Sequence, residues 1–84
     1  MRSFNREDVS SFIVQLRQSK GISQEEMGKL LHVSSRTVRN WEKSVSMPSM
    51  EDIVNICNEF NVSLEEVFEG KFSFERKSNV KSAR

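Results

Sequence analysis

Little in this sequence lends itself to covalent or metal chemistry. It holds one cysteine, Cys57, and one histidine, His32. A lone cysteine cannot close an internal disulfide, and the two residues together fall short of the usual ligand set of a metal site. Three glycines, at 21, 28 and 70, are too few and too scattered for a phosphate-cradling loop. No nucleophile stands at a useful spacing from a base, so no enzyme, cofactor or metal is expected. The longest apolar run is three residues, Phe12-Ile13-Val14. That is far short of a membrane span or of the core of a secretory signal peptide, and a soluble cytoplasmic protein is the expectation.

Basic residues are missing from one whole segment. Net charge is +1 over 84 residues, yet residues 1–48 carry eight Lys or Arg against five Asp or Glu, residues 49–70 carry none against six, and residues 71–84 carry five against one. A chain of this length makes one small domain with a modest core. The segregation of charge suits a domain with one face toward phosphates and another turned away.

What is present is helical periodicity. Val9, Phe12, Ile13 and Leu16 recur at intervals of three and four, which predicts a first helix over residues 8–19, stopped at Gly21. Ser23 with Glu26 forms a capping box opening a second helix at Gln24, with Met27 and Leu31 facing inward. After a turn at His32-Val33, Ser34 caps a third helix over residues 35–43 whose inner side is Val38 and Trp41. Ser49 with Asp52 opens a fourth, with Met50, Ile53, Val54, Cys57 and Phe60 as a wide apolar face. Ser63 with Glu66 opens a short fifth, where Leu64, Val67 and Phe68 complete the core before Gly70. Cys57 and Trp41 read as core residues and His32 as a structural turn residue.

Two short helices joined by a tight turn can set the second one into the major groove of DNA. At about 100° per residue, Arg36, Arg39, Asn40 and Lys43 gather opposite Val38 and Trp41. Arginine can pair bidentately with guanine and asparagine with adenine, and lysine suits phosphate.

Over residues 9–68 these features resemble the Cro and phage-repressor type of helix-turn-helix protein, the Xre family. Gly21-Ile22-Ser23-Gln24-Glu25-Glu26-Met27 is similar to the family's approach to its second helix. Val33-Ser34, Thr37-Val38 and Trp41-Glu42 are similar to its recognition helix. Pro48-Ser49-Met50, Ile53-Val54, Ile56-Cys57 and Phe60-Asn61-Val62-Ser63-Leu64 are similar to its two closing helices. The resemblance implies that Gln24 touches a phosphate, that Ser35, Arg36, Thr37 and Asn40 approach base edges, and that Arg17 and Glu42 form a partly buried ion pair. Two positions depart from the pattern. Gly28 stands where the family usually has alanine, meeting the same steric demand at a cost of about 1 kcal/mol in helix propensity. His32 replaces the turn glycine and, if the left-handed conformation is kept, takes it up with some strain.

The expected fold is therefore all-α: a compact five-helix lambda-repressor-like DNA-binding domain over residues 1–70, its helix-turn-helix at about 24–43. Residues 71–84 form a basic tail, flexible or contributing to dimerisation. The expected function is sequence-specific binding of double-stranded DNA as a transcriptional regulator, most simply a repressor, with Gln24, Ser35, Arg36, Thr37, Arg39, Asn40 and Lys43 at the interface. One recognition helix reads few base pairs, so a homodimer on an inverted-repeat operator is expected, its contact through the fifth helix or residues 68–74. A regulatory protein partner is also considered. The alternative is a protein-interaction module of the same fold, such as an antitoxin or antirepressor-like partner.

Overall fold

The first-turn amides of a helix have no carbonyl to bond, and in this chain an asparagine or serine meets that need each time. Asn5, Ser23, Ser34, Ser49 and Ser63 accept from the amides of Glu7, Glu26, Thr37, Asp52 and Glu66. The computed structural model describes residues 5–71, with helices α1 (Arg6–Lys20), α2 (Gln24–Leu31), α3 (Ser35–Glu42), α4 (Met50–Phe60) and α5 (Leu64–Glu69). At Ser23, Ser49 and Ser63 the box is reciprocal, the acidic side chain returning to the cap amide.

Helix ends follow the expected signals closely, with two shifts. α1 starts two residues before the expected residue 8, because Asn5 is a working cap, its Oδ1 2.8 Å from the Glu7 amide. Lys43 caps α3 instead of belonging to it, since the next residue, Ser44, turns left-handed at φ 62°. His32 also keeps the left-handed conformation, at φ 62° and ψ 39°, so the strain expected of a non-glycine turn residue is present.

α1 packs against α3 and α5, and α2 against α3 and α4. Val9, Phe12, Ile13 and Leu16 of α1 are fully buried, with Met27, Val38, Ile56 and Val67 around them and Trp41 at 2% exposure. The wide apolar face expected on α4 is corrected. Ile53, Ile56 and Phe60 turn inward and Cys57 is half-buried, whereas Met50 and Val54 are exposed. On α5, Val67 is buried and Phe68 packs at the core edge, but Leu64 is exposed. On both helices the buried stripe is narrower than the set of apolar residues available to fill it.

Two glycines mark close approaches. A Cβ on Gly70 would stand 2.8 Å from the Asp8 carbonyl oxygen, and Gln15 Nε2 donates to the Gly70 carbonyl at 2.9 Å, seating the end of α5 on α1. A Cβ on Gly28 would stand 2.6 Å from the Val33 carbonyl oxygen and 3.2 Å from the Ser34 carbonyl carbon. This contact is backbone, which cannot rotate away. The alanine usual in the family that the sequence resembles does not fit here without moving the start of α3. Gly28→Ala is therefore expected to lower stability despite its propensity gain of about 1 kcal/mol, since overpacking costs about 1–3 kcal/mol. Thermal denaturation checks the sign, and a raised midpoint would show that the turn relaxes freely.

Among the described residues no helix is long and apolar enough to cross a membrane, and no cluster of His, Cys, Asp or Glu could hold a metal ion. Lys71 is exposed, with its amide donating to the Glu66 carbonyl at 3.3 Å. The rest of the basic tail, and with it Phe72, Phe74 and the expected dimer contact beyond Lys71, lies outside the described residues.

Candidate nucleic-acid interface

A short helix can present side chains reproducibly only if both its ends are fixed. At its start, α3 is capped by Ser34 and pressed against α2 through the Gly28 contact. Val33 N–H donates to the Gly28 carbonyl at 2.9 Å, closing the turn. At its other end, Ser10 of α1 is buried and donates from Oγ to the Trp41 carbonyl at 2.6 Å, while the Ser44 hydroxyl lies 2.6 Å from the Ser10 Oγ itself. Arg6 Nη1 donates to the Ser44 carbonyl at 3.2 Å. The amides of Val45 and Ser46 both donate to the Asn40 carbonyl, at 2.9 and 3.3 Å.

The Arg17–Glu42 pair is present and bidentate: Nε to Oε2 at 2.6 Å and Nη2 to Oε1 at 3.2 Å, with Nη1 donating to the Ile22 carbonyl at 3.0 Å. The side chains are 18% and 8% exposed. The hydrogen bond to Glu42 raises the Arg17 pKa above its ordinary value, outweighing the opposing effect of burial.

The sequence-derived site residues fall into two groups. Ser35, Arg36, Thr37, Arg39, Asn40 and Lys43 all sit on α3 or its cap. Arg36, Arg39 and Lys43 are exposed, and Ser35, Thr37 and Asn40 are half-buried. The side chains of Arg36, Arg39, Asn40 and Lys43 bond to nothing among the described residues, which leaves their donors free. Thr37 differs, since its hydroxyl lies 3.0 Å from the Ser34 hydroxyl and its amide bonds the same oxygen, so it belongs to the cap. Gln24, on α2, is brought beside the end of α3, its Nε2 donating to Glu42 Oε1 at 3.0 Å.

Glu42 is the one carboxylate on α3, and Arg17 neutralises it, so the helix and its Lys43 cap together present three cations unpaired among the described residues. Arg36 to Lys43 spans roughly 10 Å along the axis at 1.5 Å per residue. That is roughly three base-pair steps at 3.4 Å each. Sequence reasoning missed Ser10, Ser44 and Arg6. A serine flanking the apolar stripe of α1 was the available signal, because a buried hydroxyl requires a partner.

Comparison with known proteins accords with this geometry. A family model described as Helix-turn-helix matches residues 13–67. The HTH-type transcriptional activator BcrR of Enterococcus faecalis is 32% identical over 72 residues, covering 80% of this chain and 35% of its own length. The chain thus spans about a third of that relative. The uncharacterized HTH-type transcriptional regulator YgzD of Bacillus subtilis (strain 168) is 36% identical over 56 residues, 67% of this chain and 85% of its own length. No solved structure gives a significant match.

Proposed function

Since the chain belongs to the helix-turn-helix family, with the five-helix lambda-repressor-like fold, we propose that it is a transcriptional regulator that binds double-stranded DNA by setting α3 into the major groove. The observation that carries this reading is the row of unpaired donors Arg36, Arg39, Asn40 and Lys43 on a helix fixed at both ends. Arg36 and Asn40 read bases, with Ser35 and Thr37 beside them at the groove end of the helix. Lys43, Arg39 and Gln24 hold the sugar-phosphate backbone. The names of the two relatives, both HTH-type regulators, support the same class of activity. Repression is the simplest outcome, because a domain seated on a promoter excludes other proteins without having to recruit any.

A mobility-shift titration on duplex DNA at low salt tests the reading. Binding that weakens steeply as salt rises is expected, since each neutralised phosphate releases counterions. No salt-sensitive binding at all would transfer the weight to a protein-interaction role.

The same reading gives an expectation for symmetry. One α3 reads only a few base pairs, so a homodimer on an inverted repeat is expected, its half-site centres about 10 base pairs apart. Selection of bound sequences from a random pool checks this, and a site with a single half and no symmetry would contradict it.

A further inference from the structure

The Glu42 carboxylate ties three helices together. It accepts from Arg17 Nε and Nη2 of α1, at 2.6 and 3.2 Å, and from Gln24 Nε2 of α2, at 3.0 Å. A carboxylate can only accept, so the end of the Gln24 amide that faces it is the nitrogen. That fixes which way round the amide sits. One of its two N–H groups is used. The second, and the amide oxygen, have no partner among the described residues.

An ion pair that served stability alone would have no need of Gln24, and a glutamine that served only as a surface residue would rotate freely. Here the side chain is tied to Glu42 at the last residue of α3, a bond that restricts its rotamers before any ligand arrives. Arg17 meanwhile cancels the negative charge that Glu42 would bring close to DNA.

We infer that Glu42, held by Arg17, is a positioning residue for DNA binding: it orients Gln24 so that the second amide N–H donates to a phosphate oxygen next to the first turn of α2. The inference rests on the proposed groove binding and names the device that aims one backbone contact. It predicts that breaking the link costs affinity at a single phosphate and nowhere else.

The test uses the full chain and the duplex selected as its preferred site, with the phosphates replaced one at a time by uncharged methylphosphonates. Wild type is expected to lose about tenfold in affinity at the linkage Gln24 contacts, the size of one hydrogen bond to a charged group. Gln24→Ala is expected to bind unmodified DNA about tenfold more weakly and to become indifferent to that linkage. The decisive variant is the double substitution Arg17→Met/Glu42→Leu. Swapping a buried ion pair for apolar groups of similar size is tolerated by folded proteins, and it leaves the net charge unchanged while removing Gln24's partner. It is expected to keep its fold by circular dichroism and its salt slope, yet to lose most of the sensitivity at that one linkage. If the double variant keeps the wild-type sensitivity there, or if no linkage depends on Gln24, the inference is overturned while groove binding stands. If wild type binds no duplex, the functional reading fails and the inference with it.

Discussion

Glu42→Ala is expected to lower the free energy of unfolding by about 3 kcal/mol. The carboxylate is 8% exposed and accepts from two helices besides its own, so its loss strands the Arg17 guanidinium with only the Ile22 carbonyl. Breaking a buried pair by removing one partner costs about 3–5 kcal/mol, and the 18% exposure of Arg17 sets the expectation at the low end. Arg17 cannot escape the cost by losing its proton. An arginine holds its proton far above neutral pH even without a partner. In wild type the hydrogen bond to Glu42 raises the Arg17 pKa further, so the stability the pair contributes is complete below the ordinary arginine value and is lost only as pH rises through the higher folded one. The penalty is therefore undiminished by arginine titration throughout the neutral and acidic range. Urea denaturation of the two proteins measures it, and a loss below about 0.5 kcal/mol would mean that the pair behaves as a surface one. A domain with a total stability of about 5–15 kcal/mol is left visibly weakened.

Arg36→Ala is expected to cost about 1–3 kcal/mol of binding energy on the preferred site and to relax the preference at one base position. Arg36 lies in the first turn of α3, it is exposed, and its guanidinium has no partner among the described residues. The fork matches the two acceptors that guanine shows in the major groove. Asn40, one turn on and also unpartnered, is expected to behave in the same way at a second position, through adenine. Lys43 is the contrast: at the far end of the helix, its loss should weaken every sequence about equally and lower the salt slope by about one. Affinities across a panel of single-base changes separate these roles. If Arg36→Ala lowers affinity uniformly and leaves the base preference intact, Arg36 does not read a base.

Helix starts were legible in the sequence because caps are local: Ser23 with Glu26, Ser49 with Asp52 and Ser63 with Glu66 each complete their bonds within four residues. Asn5 obeys the same rule and was overlooked only because no apolar periodicity begins there. The inward faces of α1 and α3 were also legible, since one strong stripe leaves no choice. On α4 and α5 the apolar residues outnumber the buried positions, and only the placement of neighbouring helices decides that Ile56 turns in while Met50, Val54 and Leu64 turn out. Contacts between distant positions were hidden for the same reason. Ser10 meets Trp41 and Ser44 across 31 and 34 residues, and Gln24 meets Glu42 across 18, with no spacing rule to announce either. The Arg17–Glu42 pair was reached through family resemblance, as no periodicity pointed to it.

The central claim is that the exposed face of α3 is the DNA surface. The most direct test is the salt dependence of duplex binding by the double variant Arg39→Ala/Lys43→Ala beside wild type. Both side chains are exposed and unpartnered among the described residues, so the variant should melt with wild type and any change belongs to binding. With two phosphate contacts gone, the slope of log affinity against log salt should fall in magnitude by about two, and binding at low salt should weaken markedly. An unchanged slope with unchanged affinity would contradict the account and put the DNA surface, if there is one, elsewhere on the chain.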